Sequence, residues 1–412
     1  MFSNINNHRT ILKNFSYLSV LEIFVLISPL ITYPYLSRVL GLELYGWVIT
    51  AQVVASYCSI LVDFGFKGVS ARHVSIHQND KNKLSEIMSS ILIASFILWI
   101  FSFCLYMIVI FSIPAYHEHL LLFIYSFGLT LNVLLFPQYY FQGTERMQFI
   151  SVVSIVIQIV FLALIFVFVK EQSDYILVPL FHSLGYLIGG LISLYIIFIH
   201  DRIRFYLPRK SEIMFYVKDA TPLFATNVVM TIKDKFNYLI LGIMVGMDQV
   251  VIYDVGSKLS FLAVKPSQVV GTVLFPQMAR CHKNSVFVKA CVYILVFTSA
   301  LIAFINMFLD LIVNFLVGHS VDLGPIRIYL LSPIFLSVSI FIAINFMVAR
   351  GYNKYLLYSM ILTTIVYLTL LVSFYILGWL STVYSFVLLT LISIIAEFIY
   401  RGYVSRKLLS CE

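Results

Sequence analysis

The chain has 412 residues, of which 61% are hydrophobic and only 11% are charged, and its formal net charge is +8. Soluble domains contain roughly 25% charged residues, so this composition excludes an ordinary soluble protein. Apolar runs of about 20 residues recur along the whole chain, and each is long enough to cross a bilayer as a helix. A membrane β-barrel would instead alternate in polarity over segments of about 10 residues. The sequence therefore predicts an all-α polytopic membrane protein.

The apolar runs divide the chain into about twelve transmembrane helices. The first run begins near Phe15. It is longer than a signal peptide requires and lacks a small-residue cleavage motif, so we expect it to remain as a membrane helix. The predicted spans are 15–38, 44–66, 86–111, 119–141, 149–169, 176–199, 219–245, 250–274, 287–317, 326–348, 355–377 and 381–401.

Basic residues are distributed unevenly between the two sides of the predicted bundle. The connections after the even-numbered spans carry most of them, including Arg401 after span 12, whereas the opposite loops hold only Arg38, Lys170 and Arg327. The positive-inside rule then places both termini in the cytoplasm. Because this asymmetry accounts for most of the net charge, we predict no nucleic-acid partner.

Two pairs of similar segments indicate an internal duplication. Gly41 and Gly246 lie in similar turns and are 205 residues apart, and Gly143 and Gly351 are 208 apart. A repeated unit of six helices keeps the same orientation in both copies, and a binding site is then expected between the halves. The predicted architecture is two six-helix lobes around a central cavity. The predicted lobes are 1–205 and 206–412.

Motifs of common membrane enzymes and nucleotide-driven pumps do not occur. The sequence lacks the P-loop pattern, H-E-x-x-H and G-x-S-x-G, and no predicted loop is long enough to hold a folded catalytic domain. We therefore predict no enzyme, no cofactor and no metal site. Movement of a molecule through the helical bundle remains as the expected activity.

Ionisable residues inside predicted spans are the candidate functional residues. Such residues are rare in membrane helices, face the interior or a cavity, and commonly take part in function. Six of these ten residues fall in spans 7 and 8. The ten residues are Glu22, Asp63, Lys233, Asp234, Lys235, Asp254, Lys258, Lys265, Asp310 and Glu397.

Span 8 has the most regular charge pattern. Asp254, Lys258, Phe261 and Lys265 share one helical face, and the first two can pair along it. At about 1.5 Å per residue, Lys233 and Lys258 lie at similar depth. These lysines predict one wall of a cationic cavity that suits an anion such as phosphate. In the alternative interpretation, the charges pair with one another and hold spans 7 and 8 together.

Two motifs near the N-terminus carry a family resemblance. "PLITYPYLSRVLGLELYGW" at 29–47 and "LVDFGFKGVSARHVS" at 61–75 resemble the signature of the polysaccharide transporter family, with Arg38, Asp63 and Arg72 at matched positions. That family includes O-antigen flippases and belongs to the multidrug/oligosaccharidyl-lipid/polysaccharide exporter superfamily. The resemblance implies that the protein moves an undecaprenyl-diphosphate-linked oligosaccharide across the bacterial inner membrane by alternating access.

The physical pattern and the resemblance together define the predicted site and partners. A proton or sodium ion is the expected coupling partner, and membrane lipids, an O-polysaccharide polymerase and a chain-length regulator are further expected partners. The predicted diphosphate-binding residues are Lys233, Lys235, Lys258, Lys265 and Arg38. The candidate ion-coupling residues are Glu22, Asp63, Asp254, Asp310 and Glu397.

Other functions make different demands on the sequence. A drug or organic-cation antiporter of the same superfamily needs an acidic or aromatic cavity, which the intramembrane lysines oppose. Lipid II flippases usually carry helices beyond twelve. A glycosyltransferase or polymerase of polysaccharide assembly needs a long outer loop, and a structural scaffold needs no charges inside its spans.

Overall fold

A computed structural model describes residues 2–280, 284–318 and 320–409, without the side chains of residues 2–23, 25, 26, 230, 232–234, 276, 277, 279, 280 and 353. All regular elements in these ranges are helical. In chain order they are α1 Phe2–Asp63, α2 Phe66–Ile76, α3 Lys81–Ser112, α4 Pro114–His117, α5 Leu120–Phe127, α6 Leu131–Leu135, α7 Gln138–Gly143, α8 Met147–Phe168, α9 Leu177–Tyr195, α10 Lys210–Met244, α11 Met247–Arg280, α12 Asn284–Met307, α13 Leu309–Val317, α14 Gly324–Tyr329, α15 Ser332–Ile342, α16 Asn353–Ile376 and α17 Val383–Leu409. Short 3₁₀ turns cover Gly128–Thr130 and Gln172–Ile176, and π-helical turns cover Ile196–His200 and Ala343–Val348.

Every predicted span contains a helix. Within the described residues, nine helical stretches are long and apolar enough to cross a membrane, and one of them, Ile27–Ile76, contains the second predicted span and part of the first. Spans 7 and 8 correspond to α10 and α11, which carry the intramembrane charges. The prediction of an all-α polytopic membrane protein with about twelve transmembrane helices is confirmed.

Gly41 separates the first two spans within α1. Its φ of 75° and ψ of 166° are not helical. The rings of Tyr33 and Tyr45 lie 4.9 Å apart, whereas residues twelve apart in a straight helix are about 18 Å apart along its axis. The chain therefore folds back at this glycine, which can adopt a left-handed φ without a steric penalty.

The helix of the second span is interrupted near the end of that span. Phe64 and Gly65 have φ values of 45° and 77°, so α1 ends at Asp63 and α2 begins at Phe66. A Cβ atom added at Gly65 would lie 2.9 Å from the carbonyl oxygen of Ala220 in α10. Glycine is needed here for both its φ and the close approach of another helix backbone.

The backbone conformation supports the first pair of glycines as evidence of an internal duplication. In the second pair, it replaces one of the two matched residues. Gly41 and Gly246 both have positive φ, 75° and 145°, and both lie between consecutive spans. In the second pair, Gly351 has a φ of 77°, but the left-handed residue of the earlier turn is Glu145, with a φ of 58°. Gly143 instead ends helix α7. Glu145 and Gly351 are 206 residues apart, which is nearer to the first offset than the predicted 208.

The described residues form two compact units, Met1–Ile232 and Lys233–Glu412, so the division falls within α10. The division of the chain into lobes at residue 205 stays a prediction. A cluster of buried residues from α2, α3, α7, α8 and the start of α10 forms a core in the first unit. A cluster from α11, α12, α15, the second π-helical turn and α17 forms a core in the second.

We expect Gly65→Ala to destabilise the protein. A left-handed conformation costs a non-glycine residue about 1–2 kcal/mol, and the added methyl group also meets the α10 backbone. The thermal unfolding midpoint of the detergent-purified variant should therefore fall. Gly402→Ala is the control, because a Cβ there meets no atom within 4 Å. Equal midpoints for the two variants would contradict this explanation of Gly65.

Candidate substrate and ion sites

The predicted charged face of α11 is formed in the second unit. Lys258 Nζ donates to Asp254 Oδ2 at 2.5 Å, and Tyr238 Oη donates to Asp254 Oδ1 at 3.2 Å. Asp254 is buried, but 43% of the Lys258 side chain is exposed. Lys265 Nζ lies 4.7 Å from the centre of the exposed Phe261 ring. The expected ion pair is therefore present, and Lys265 lies beside an exposed aromatic ring.

Of the other predicted substrate residues, Lys235 and Arg38 have described side chains. The side chains of Lys233 and Asp234 lie outside the described residues, as does that of Glu22. Lys235 is half-buried on α10, and Arg38 is exposed in the first unit, just before the Gly41 turn.

A network of neutral polar groups holds the helices of the second unit together around Asn237. The Asn237 side chain is 1% exposed. Its amide nitrogen donates to Tyr253 Oη at 3.0 Å and to Thr390 Oγ1 at 2.9 Å, and its oxygen accepts from Tyr367 Oη at 2.6 Å. These bonds join α10, α11, α16 and α17. Such interhelical bonds stabilise membrane bundles because no water competes for the groups.

Glu397 lies in a second buried network rather than in an open cavity. Arg401 Nη1 lies 2.6 Å from Glu397 Oε1, and both side chains are less than 10% exposed. Ser339 and Thr363 donate to the two Glu397 oxygens at 3.3 Å each. Arg401 Nε donates to Ser359 Oγ at 3.0 Å. Arg401, which the sequence analysis placed in the cytoplasmic tail, is therefore a buried ion-pair partner.

The remaining two candidate carboxylates have different surroundings. Asp310 begins α13 and is exposed. Asp63 is half-buried at the interruption of the second span, where its Oδ2 accepts from the Gly65 N–H at 3.2 Å. Asp63 also lines a polar cavity of the first unit.

The matched signature position Arg72 has a structural partner. Arg72 Nη2 and His73 Nε2 lie 2.9 Å and 2.8 Å from the same oxygen, Asp219 Oδ2. The rings of Phe64 and Phe224 stack nearby with their centres 4.2 Å apart. These contacts hold α2 against the first half of α10.

A second polar cluster lies at the end of the sixth span. Arg146 Nη1 donates to Asp201 Oδ1 at 3.0 Å, and Tyr140 Oη donates to Asp201 Oδ2 at 2.8 Å. His200 Nδ1 lies 2.9 Å from Asp201 Oδ1. Burial alone would raise the pKa of Asp201, but hydrogen bonds from Arg146, His200 and Tyr140 outweigh it and hold this pKa below its usual value.

The sequence analysis missed several of these residues for identifiable reasons. Glu397 was selected, but its partner Arg401 was missed, although the two residues have the recognisable i, i+4 spacing of a helical ion pair. Asn237 is a polar residue within an apolar run, but it carries no charge and was not selected. No local sequence pattern indicated the ion pairs of Asp219, because its partners lie 146 and 147 residues earlier in the chain.

The sequence profile of the family described as "Polysaccharide biosynthesis protein" matches residues 11–282, more than half of the chain. The chain belongs to this family. The resemblance found in the N-terminal motifs is thereby confirmed.

Two relatives of this polysaccharide biosynthesis protein carry the name "Putative O-antigen transporter". The one from Escherichia coli K12 is 28% identical over 196 residues, which is 47% of each chain. The one from Shigella dysenteriae is 23% identical over 269 residues, covering 64% of this chain and 66% of that one. The matches thus span less than two thirds of each relative's length.

Solved structures of multidrug transporters share the fold. An inward-facing MATE family transporter of the MOP superfamily aligns with a TM-score of 0.71 and 13% identity, covering 93% of this chain and 96% of that one. An outward-facing structure of a MATE family transporter of the same superfamily aligns with a TM-score of 0.59 and 14% identity, covering 97% and 96%. At these identities the similarity shows the fold alone.

We expect Asp201→Asn to lower the thermal unfolding midpoint at pH 7 but not at strongly acidic pH. Because the pKa of Asp201 is lowered by folding, its charge stabilises the protein above the unfolded value of about 3.9. This stabilisation is lost as the pH falls through the lower folded pKa. Unfolding midpoints at pH 7, 5 and 3 test this, with Glu118→Gln in a short loop as the control. A constant difference across these pH values would contradict the prediction.

We expect Arg401→Met to destabilise the second unit more than the double variant Glu397→Met/Arg401→Met. Removing one partner leaves a buried carboxylate unpaired, which costs about 3–5 kcal/mol, whereas apolar replacement of both partners is often tolerated. The midpoints of thermal unfolding of the two purified proteins measure the difference. If the double variant unfolds at the lower temperature, the Glu397–Arg401 pair is not the source of the effect.

Proposed function

We propose that this protein is a flippase that translocates undecaprenyl-diphosphate-linked O-antigen repeat units across the bacterial inner membrane. The family, the names of the two relatives and the transporter fold support this proposal. In the proposed orientation both termini lie in the cytoplasm, and the repeat unit moves to the periplasmic leaflet. Transport needs no chemical step on the substrate, so the protein is not expected to act as an enzyme.

The observation that carries the proposal is the pair of half-buried lysines on α11. Lys258 and Lys265 lie on either side of Phe261 on one helical face, within a predicted membrane span. A lysine ammonium binds phosphate as a point charge, and an exposed aromatic ring can pack against a sugar. An isolated ion pair would explain Asp254 and Lys258, but it gives no reason for Phe261 and Lys265 to continue the row.

Alternating access between two lobes would carry the headgroup across. The diphosphate and sugars would occupy the interior, while the polyprenyl chain stays in the bilayer. Because the sequence has no P-loop, an ion gradient is the expected energy source, with a proton or sodium ion as the coupling partner. Release of the repeat unit on the periplasmic side would supply a polymerase and its chain-length regulator.

A drug or organic-cation antiporter is the second candidate, because the fold neighbours are multidrug transporters. Cationic substrates would be repelled by two lysines on one exposed face, so α11 favours an anionic substrate. Loss of resistance to cationic compounds, with normal surface polysaccharide, in a strain lacking the gene would favour this candidate instead.

We expect deletion of the gene to abolish surface O-polysaccharide, while lipid-linked repeat units accumulate in the cytoplasmic leaflet. Gel analysis of surface polysaccharide measures the first effect. Protection of lipid-linked repeats from an enzyme added to the periplasm measures the second. Normal surface polymer in a strain without another flippase would refute the proposal.

We expect Lys265→Ala to reduce complementation of that strain at least tenfold. A hydrogen bond to a charged group contributes about 1.5–3 kcal/mol, which is about tenfold or more in binding. Lys354→Ala is a matched control, because Lys354 Nζ lies 5.0 Å from the centre of the Tyr355 ring, a similar lysine–aromatic contact. Equal activity of the two variants at equal expression would remove Lys265 from the site.

The neutral double variant Asp254→Asn/Lys258→Met separates substrate binding from structural pairing. It removes both charges and leaves no buried carboxylate unpaired. If Lys258 binds the headgroup, the variant should fold and express well yet lose at least tenfold in transport. If the pair is purely structural, transport should fall only as far as a loss of folded protein explains. The thermal unfolding midpoint measures that loss.

A further inference from the structure

Two neighbouring spans of the first unit are interrupted next to each other. The second span breaks at Phe64 and Gly65, and the fourth breaks between α6 and α7, where Phe136 has a non-helical φ of −110° and ψ of 81°. The resulting short helices pack closely, since a Cβ at Gly143 of α7 would lie 2.6 Å from Val74 of α2. Non-helical backbone at membrane depth is tolerated where it is buried in protein or lines a cavity, and discontinuous helices commonly form ion sites in transporters.

A polar cavity lies at these interruptions. Its volume is about 90 Å³, which is room for several water molecules or a small ion, since one water needs about 10–15 Å³. Five elements of the first unit contribute polar groups to it. These groups belong to Asp63, Lys67, Ser95, Asn132, Gln138 and Tyr139.

The hydroxyl group of Tyr139 is a separate indication that the cavity is built to hold a ligand. The Tyr139 side chain is 7% exposed and lines the cavity. Within the described part of the chain, its Oη atom has no hydrogen-bond partner. A buried hydroxyl group is costly unless something bonds to it, so an occupant of the cavity would satisfy it.

Asp63 differs from the other described candidate carboxylates in its access to such a cavity. Both oxygens of Asp254 are engaged by protein donors, as are both oxygens of Glu397. Asp310 is exposed at the start of α13. Asp63 lies near the end of a predicted span and lines a polar cavity with several oxygen-bearing side chains.

We propose that the Asp63 cavity binds one monovalent cation, a proton or a sodium ion, through the Asp63 carboxylate. The amide oxygens of Asn132 and Gln138 and the Tyr139 hydroxyl supply the neutral oxygen ligands that a hard cation prefers. Lys67 and Tyr139 are the other titratable groups that line the cavity. Because the Lys67 ammonium group lines the same space, it competes with the cation for Asp63. The site would couple ion movement to the transport proposed above, and only this coupling role rests on that proposed function.

The binding test uses the full-length protein in lipid nanodiscs without any substrate. Binding of radioactive sodium is measured at pH 8 in a choline buffer, and proton uptake is measured by titration between about pH 6 and 9, above the range in which ordinary carboxyl groups titrate. Asp63→Asn is the test variant, because its amide oxygen can still accept the Gly65 N–H and preserve the turn. Glu118→Gln, in a loop outside the cavity, is the matched control.

Either of two results supports the proposal. Saturable sodium binding that weakens at least tenfold in Asp63→Asn identifies a sodium site. Uptake of about one more proton by the wild type than by Asp63→Asn, with no sodium binding, identifies a proton site. The proposal would be overturned if the Asp63→Asn variant gave the same result as the wild type and Glu118→Gln in both measurements.

Lys67→Met tests the competition separately. Removing the ammonium group should strengthen cation binding several-fold, seen as tighter sodium binding or as proton binding at higher pH. Unchanged or weaker binding would show that Lys67 does not compete. The binding test contains no lipid-linked substrate, so cation binding can be observed even if the flippase function is refuted. Failure of the cation site and failure of the proposed function are therefore distinguishable.

Discussion

The cost of leaving a polar group unpaired in hydrocarbon is the constraint on which this structure depends. Each lost backbone bond costs several kcal/mol where water is absent, so the described chain is built from helices. Hydroxyl side chains within the spans bond to their own helix, as Thr363 does to the Ser359 carbonyl oxygen at 2.6 Å. The buried charged side chains that are described in the second unit are paired, in Asp254–Lys258 and Glu397–Arg401.

The two units meet this constraint in different ways. The second unit joins α10, α11, α16 and α17 through Asn237 and connects α15, α16 and α17 through Glu397 and Arg401. Many of its buried polar groups bond to one another, although both amide atoms of the buried Asn345 have no hydrogen-bond partner within the described residues. The first unit instead interrupts two helices and leaves polar groups around a cavity. Networks in which polar groups bond to one another are typical of a structural role. A cavity lined by Tyr139, whose hydroxyl group has no hydrogen-bond partner within the described residues, is more typical of ligand binding.

The described charges of α11 have different surroundings. Asp254 accepts from both Lys258 and Tyr238, so part of the pattern stabilises the contact between α10 and α11. Lys258 keeps 43% of its side chain exposed, and Lys265 lies over an exposed phenylalanine. The ion pair of the alternative interpretation is therefore present, while anion binding by the lysines on the same face stays a prediction.

The sequence by itself determined the features that depend on local order and composition. Apolar length predicted the helices, i, i+4 spacing predicted the Asp254–Lys258 pair, and the N-terminal motifs indicated the family. Only the tertiary structure decided that Asp219 meets Arg72 and His73, that Arg401 is buried beside Glu397, and that Asp63 lines a cavity. The physical reason is that hydrophobic periodicity acts over a few turns of one helix. Contacts between distant helices depend instead on how breaks such as Gly65 direct each segment during packing.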